Sequence, residues 1–201
     1  MNQLKALLTL ACLVAASPAL AQRYMDFGGM YGYSGESSAT GVYGNPYANN
    51  TDGCPSGYTA YQVYGRPGPV DHPLYLCGRI TAGHTTPVAD FGGMWSTFRP
   101  NHFTGGYSCP AGYTQTQVLG TYNVDYPLYY CHRPAAANPQ FRLGGMYSYY
   151  YSTSTGPDSG YYPNAVLATG KLDACPSGFT KSEGMAAPND GGLYWCHQTL
   201  Y

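Results

Sequence analysis

The chain has 201 residues, only 9% of them charged, and a formal net charge of -1. That near-neutral balance excludes the basic field that nucleic acid or an anionic membrane surface would need. With 23 Tyr, 27 Gly and 16 Pro, the composition suits half-buried pleated surface punctuated by turns. The aromatic content also separates it from disordered chains.

The first segment reads as a secretory signal peptide. Lys5 supplies a positive start, Ala6 to Val14 a short apolar core, and Ala19-Leu20-Ala21 a small-residue cleavage site before Gln22. Residues 1–21 are therefore set apart from the folded domain, expected over 22–201. The signal is of bacterial type, so the expected location is secreted or periplasmic, which is compatible with association at the cell surface. No later stretch reaches the roughly 18 apolar residues of a transmembrane helix. Cys12 lies in the signal core, which leaves Cys54, Cys77, Cys109, Cys131, Cys175 and Cys196. An even number in an exported chain reads as a disulfide framework.

Internal repetition dominates the rest of the chain. A Gly-Gly-Met-aromatic motif occurs as Phe27-Gly28-Gly29-Met30-Tyr31, Phe91-Gly92-Gly93-Met94-Trp95 and Leu143-Gly144-Gly145-Met146-Tyr147. Each motif is succeeded by a polar insert of variable length: Tyr33 to Gly53, Ser96 to Ser108, and Ser148 to Ala174. Next come Cys54-Pro55-Ser56-Gly57-Tyr58-Thr59, Cys109-Pro110-Ala111-Gly112-Tyr113-Thr114 and Cys175-Pro176-Ser177-Gly178-Phe179-Thr180. Each copy closes on an Asp (Asp71, Asp125, Asp190), a turn and a Leu-Tyr-x-Cys run ending at Cys77, Cys131 or Cys196. The copies span residues 24–80, 88–134 and 140–198.

The residue types dictate local structure. Pro fixes φ and Gly accepts positive φ, so Cys-Pro-x-Gly is a tight turn. Tyr58 to Tyr64 and Tyr113 to Leu119 alternate bulky and small side chains and read as strands, with the Leu-Tyr-x-Cys runs as their partners. Each copy is then a hairpin clamped at its far ends. The simplest connectivity is Cys54–Cys77, Cys109–Cys131 and Cys175–Cys196, the pairing that gives all copies one structure. The Gly-Gly-Met motif starts a further strand, and the inserts are placed as exposed hairpins or loops. No stretch after residue 21 carries a 3.6-residue apolar period. The fold class is all-β, with three disulfide-stapled units around a pseudo-threefold axis; a β-prism is favoured over a β-trefoil because each copy is long for a trefoil lobe.

The Gly-Gly-Met-Tyr opening, the Asn101 to Tyr113 run (NHFTGGYSCPAGY) and the closing Tyr-Cys resemble the membrane-proximal domain of macrophage-expressed perforin-like proteins. That resemblance implies a pseudo-threefold β-prism and docking on lipid surfaces. It does not extend to the pore-forming domain. Asn45-Pro46 keeps the family's Asn-Pro pair, whereas the second copy has Asn101-His102.

Catalytic chemistry finds little support. Asp71, Asp125 and Asp190 recur in every copy, unlike an active site built once, and read as Asx-type turns. Cys131-His132 and Cys196-His197 are neighbours on a strand and point to opposite faces. His72, His84, His102, His132 and His197 show no metal-ligand spacing and read as surface residues. No cofactor motif is present. The Tyr-rich inserts are the better candidates: Tyr33, Tyr43, Tyr47, Phe103, Tyr149, Tyr150, Tyr151, Tyr161 and Tyr162 offer apolar faces with polar tips. The competing reading is that such Tyr only form cross-strand ladders. The chain thus reads as a secreted non-catalytic module that docks on membrane lipid or the cell envelope. Lectin-like glycan binding and a self-associating envelope or matrix protein are the alternatives, and the oligomeric state is open.

Overall fold

The structure is a computed structural model and describes residues 22–33, 42–65, 73–82, 87–120, 127–136, 139–150, 160–167, 173–187 and 191–200. The signal segment, Asp71, His72, His84, Asp125, Asp190 and Tyr151 lie outside these residues, as do the side chains of Tyr150 and Tyr161.

The fold is all-β. The first copy supplies β1 (Tyr24–Tyr33), β2 (Val42–Tyr43), β3 (Thr59–Tyr64) and β4 (Leu74–Thr81). The second supplies β5 (Ala89–Ser96), β6 (Thr114–Leu119) and β7 (Leu128–Pro134). The third supplies β8 (Phe141–Tyr150), β9 (Gly160–Tyr162), β10 (Thr180–Ala187) and β11 (Gly191–Thr199). These strands form one antiparallel hydrogen-bonded network, and no α-helix occurs among the described residues.

The expected hairpins are present as β3–β4, β6–β7 and β10–β11. The returning strand has a second partner in each case: β4 pairs with β1, β7 with β5 and β11 with β8. The Leu-Tyr-x-Cys strand is therefore central in its trio. Alternation sends Leu74 and Leu76 inward, both essentially fully buried, and leaves Tyr75 between them on the outer face. The expected disulfides are all formed, Cys54–Cys77, Cys109–Cys131 and Cys175–Cys196, each with a Cα–Cα separation of 5.4 Å.

The Gly-Gly pair makes a β-bulge. Phe27 pairs with Gly78 and Met30 with Leu76, so Gly28 and Gly29 together face the single residue Cys77. The same interruption falls between Phe91 and Met94, and between Leu143 and Met146 opposite Trp195 and His197. A regular strand would put residues three apart on opposite faces. The bulge shifts that phase, so Phe27 and Met30 both reach the core and Tyr31 faces away from it. The second glycine of each pair has positive φ: +93° at Gly29, +89° at Gly93 and +88° at Gly145.

A buried asparagine locks this bulge, and here the expectation for the inserts needs correcting. The inserts read from sequence as exposed, yet each returns side chains to the interior, among them Asn45, Asn101 and Asn164, which are 0% exposed. Asn101 Nδ2 donates to Gly92 O at 3.0 Å and Ser108 O at 3.2 Å and lies 3.4 Å from Cys131 Sγ. Its Oδ1 accepts from Phe103 N at 3.0 Å. Asn45 and Asn164 repeat every one of these contacts with Gly28, Gly53, Cys77 and Tyr47, and with Gly144, Ala174, Cys196 and Val166. A Cβ on Gly29, Gly93 or Gly145 would lie 2.0, 2.3 or 2.0 Å from the asparagine Oδ1. The first glycine is held bare as well, because a Cβ on Gly92 would meet the Tyr113 ring at 2.4 Å.

The three copies share one core. Phe27, Phe91, Tyr130, Met146, Leu193 and Trp195 belong to a single buried cluster, with Phe27 and Phe91 edge-to-face at 5.1 Å. Polar contacts carry each copy to the next. Tyr43 on β2 donates to Gly120 O and accepts from Gln117 Nε2 beside β6. Arg99 of the second insert pairs with Glu183 on β10 at 2.6 Å. Tyr162 on β9 accepts from Gln62 Nε2 on β3 at 2.7 Å.

Two substitutions test the bulge. Asn101→Ala leaves the Gly92 and Ser108 carbonyls short of a donor in a buried setting and should destabilise by about 2–4 kcal/mol. Gly93→Ala should cost at least as much, because it adds a steric clash to a left-handed φ. Urea unfolding of the oxidised protein checks both; a loss under about 0.5 kcal/mol for either would contradict the locking role.

Candidate functional site

The bulge decides where the motif aromatic points, and the central strand places a Tyr beside it. Tyr31 pairs with Tyr75 across β1–β4, Trp95 with Tyr129 across β5–β7, and Tyr147 with Tyr194 across β8–β11. The rings stack in every case, with centroids 4.9, 4.3 and 5.3 Å apart. Stacked and edge-on aromatic pairs contribute roughly 0.5–1.5 kcal/mol beyond their buried area. Tyr31 and Tyr147 are the inner, buried members; Tyr75, Tyr194, Trp95 and Tyr129 keep part of their surface in solvent.

A third ring extends each pair. Tyr33 stands edge-on to Tyr31 and Tyr75, and Tyr149 takes the same position beside Tyr147 and Tyr194. Tyr33 donates its hydroxyl to Asp52 Oδ2 at 3.1 Å, and Tyr149 donates to Asp173 Oδ2. Both aspartates sit two residues before the first Cys of their copy. The second copy departs from this pattern. Thr97 stands at the Tyr33 position and Tyr107 at the aspartate position, and Tyr107 packs edge-on to Trp95 from the opposite chain segment, 57% exposed. Two clusters therefore combine phenol rings with a carboxylate, and one is wholly aromatic.

The electrostatics keep these phenols as donors. Burial, then the neighbouring phenols and Asp52, push Tyr31 up to about 12. Burial and then Asp52 raise Tyr33, and the hydrogen bond to Asp173 is the main cause of the rise at Tyr149. Lys181 Nζ lies 4.9 Å from the Tyr194 ring centroid, a cation–π contact that adds a donor at the edge of the third cluster.

The residues expected from sequence divide into two groups. Tyr33 and Tyr149 belong to the outward clusters. Tyr43, Tyr47, Phe103 and Tyr162 sit where one copy meets the next. Tyr47 Oη is 2.8 Å from His132 Nδ1. Phe103 stacks on Phe141 with centroids 3.5 Å apart and packs edge-on to Trp195. The clusters also contain residues that sequence reasoning does not single out, namely Tyr75, Trp95, Tyr107, Tyr129, Tyr194 and the two aspartates. The signal in the sequence is the recurrence of Met-aromatic and Leu-Tyr-x-Cys; only the register brings the two motifs together.

The histidines need correction too. His132 and His197 are not surface residues but 6% and 3% exposed. His132 Nε2 is 2.7 Å from Thr116 Oγ1, and His197 Nε2 is 2.9 Å from Ser182 Oγ. Burial lowers His132 to about 4, and burial together with His102 lowers His197 to about 4. The Ser182–His197 contact is repeated as Thr116–His132, the pattern of a packing feature. Among the described residues no three His, Cys, Asp or Glu side chains gather as metal ligands.

No protein-family model and no curated protein matches this chain.

The two histidines predict an acid-labile fold. Each is neutral in the folded protein and has a folded value below its ordinary 6.5. The unfolded chain therefore binds more protons between pH 6.5 and 4, so their contribution is full above pH 6.5 and is lost as pH falls toward 4. Roughly 2–3 kcal/mol should go with each. Urea midpoints at pH 7.0, 5.5 and 4.5 should fall in that order, and the fall should shrink in His132→Gln. A flat profile would contradict the assignment.

Proposed function

We propose that this protein is an exported, non-catalytic binding module that docks on a glycan-bearing surface such as the cell envelope. The observation that carries this reading is the set of three outward aromatic clusters, each built on the same stacked pair. An aromatic face covers the apolar side of a sugar ring, while a nearby carboxylate and hydroxyl accept and donate hydrogen bonds to its rim. Asp52 and Asp173 supply the carboxylates in two of the clusters. Weak single sites gain from multiplicity when one surface engages several of them.

The architecture proposed for the module is a β-prism of three stapled units about a pseudo-threefold axis. Its support is the identical pairing in each trio and the run of contacts from the first copy to the second, the second to the third and the third to the first. This agrees with the architecture implied by the resemblance to the membrane-proximal domain of perforin-like proteins. Lipid docking has less behind it. The large exposed apolar residues among those described, Val42, Val88, Phe98 and Tyr107, are scattered through the sequence, and no basic cluster accompanies them. Three disulfides indicate an oxidising environment. Among the described residues no helix is long and apolar enough to cross a membrane.

Affinity electrophoresis on immobilised envelope polysaccharides and a glycan array test the reading. The oxidised protein should be retarded by at least one glycan class, and Trp95→Ala, Tyr33→Ala and Tyr149→Ala should each weaken binding about three- to tenfold. The triple variant should lose it while remaining folded, as judged by its far-ultraviolet circular dichroism and a cooperative urea transition. A blank array with no retardation ends the proposal, and co-sedimentation with neutral or anionic liposomes in the absence of glycan binding would replace it with lipid docking.

A further inference from the structure

The charges beside the three outward clusters differ from copy to copy. Tyr75 and Tyr194 stand on central strands, between the strand that carries their stacking partner and the outer hairpin strand. Stacking on Tyr31 covers one face of Tyr75, so its other face is turned toward β3. In the third copy the other face of Tyr194 is turned toward β10 in the same way. The outer strand sets one residue opposite the second Cys of each copy: Ala60 opposite Cys77, Gln115 opposite Cys131 and Lys181 opposite Cys196. Alternation puts that residue on the same face as the tyrosine two positions before the Cys. It is exposed in all three copies.

The third copy fills this position with a cation. Lys181 Nζ lies 4.9 Å from the Tyr194 ring centroid. Its charge balances that of Asp173, which accepts from the Tyr149 hydroxyl in the same cluster. Glu183, directly opposite Tyr194, is paired to Arg99. The second copy has neither charge, with Tyr107 at the aspartate position and Gln115 at the lysine position.

The first copy keeps the carboxylate but not the cation. Asp52 is exposed and accepts from Tyr33 Oη at 3.1 Å, while Ala60 stands where the third copy has Lys181. Gln62, directly opposite Tyr75, is neutral and donates to Tyr162 Oη. Arg79 lies four residues along β4 and is bound to Asp26. Among the described residues, then, the first cluster offers a carboxylate and a Tyr face without the ammonium that the third cluster supplies to itself. Both are open to solvent, so a ligand reaches them without displacing protein. A ring face and a carboxylate each favour a cation roughly two- to fivefold at an exposed site.

We propose that the first cluster binds a primary ammonium group, held over the free face of Tyr75 as Lys181 is over Tyr194 and paired to Asp52. Resting on the glycan reading above, this makes the ligand an amino sugar with a free amine, such as a glucosamine residue without an acetyl group. The acetylated sugar presents a neutral amide and gains from neither the ring quadrupole nor the carboxylate.

Glucosamine and N-acetylglucosamine oligomers of equal length, titrated calorimetrically at low ionic strength, test this. The glucosamine oligomer should bind roughly five- to twentyfold more tightly, and the preference should shrink in about 0.5 M salt. Asp52→Asn, which keeps an acceptor for Tyr33, should cut the preference by at least half. Ala60→Lys rebuilds the third copy's arrangement and should cut it as far. Equal affinity for the two oligomers, no binding of the glucosamine oligomer, or a preference unchanged in both variants would overturn the proposal. So would tetralysine binding as tightly as the glucosamine oligomer, which would point to a basic peptide instead. If either variant lacks a cooperative urea transition, the oligomer comparison and its salt dependence on the parent still decide. Retention of neutral glycans on the array alongside any of these failures ends this proposal and leaves the glycan reading standing, so the two fail separately.

Discussion

One side-chain amide, buried beside each disulfide, governs how the rest of the chain is arranged. It reaches the carbonyl of the bulge, the carbonyl before the Cys-Pro turn and the backbone N–H two residues on. A polar group in this setting is stabilising only when every partner is in place. The strand, the insert and the turn are thus fixed relative to one another by a single group that tolerates no slippage. Glycine is required opposite it because even one methyl group would overlap the amide oxygen.

The outward clusters depend on that constraint. The bulge moves the strand by one side-chain phase, which lets Phe27 and Met30 share the core and turns Tyr31 toward Tyr75. Were both glycines paired in regular alternation, the aromatic would point inward and the outer face would be left with Met. The disulfide holds the same region from the other side, since Cys77 is the one residue opposite Gly28 and Gly29. Closing loops of this size stabilises by roughly 3 kcal/mol in the chain-entropy model, a substantial fraction of the stability of a chain with so few charges and such modest cores per copy.

On this common frame the three strand trios differ in side-chain chemistry rather than in pairing. Asp26 and Asp90 pair with Arg79 and Arg133, whose guanidinium groups also lie over the Tyr58 and Tyr113 rings. The third copy has Arg142 and Gln198 at these places and Phe179 in place of the tyrosine. Arg142 turns to the Tyr24 ring instead. Likewise the second outer cluster replaces a Tyr and an Asp with Thr97 and Tyr107. Positions that lock the bulge are the same in all three trios, because the buried amide and the backbone leave no room for a side chain there, while the outward positions differ.

The all-β class, the cysteine pairing, the turns and the positions of the hairpin strands were legible in the sequence, because they rest on local chemistry: Pro and Gly set turn dihedrals, alternation sets strand faces, and a repeated Cys spacing admits one common pairing. The asparagines were half visible. Asn45 and Asn101 lie in recognisable surroundings, but Asn164 lies within a longer and different insert and carries no local mark of burial. Sequence alone likewise places the inserts wholly outside, and His132 and His197 with them, although Tyr47 covers His132 and Phe103 covers His197 from a neighbouring copy. Which aromatics meet, and which carboxylates join them, depended on strand register and on contacts between segments far apart in the chain. Those are decided by how a complete core closes, which no short stretch of residues encodes.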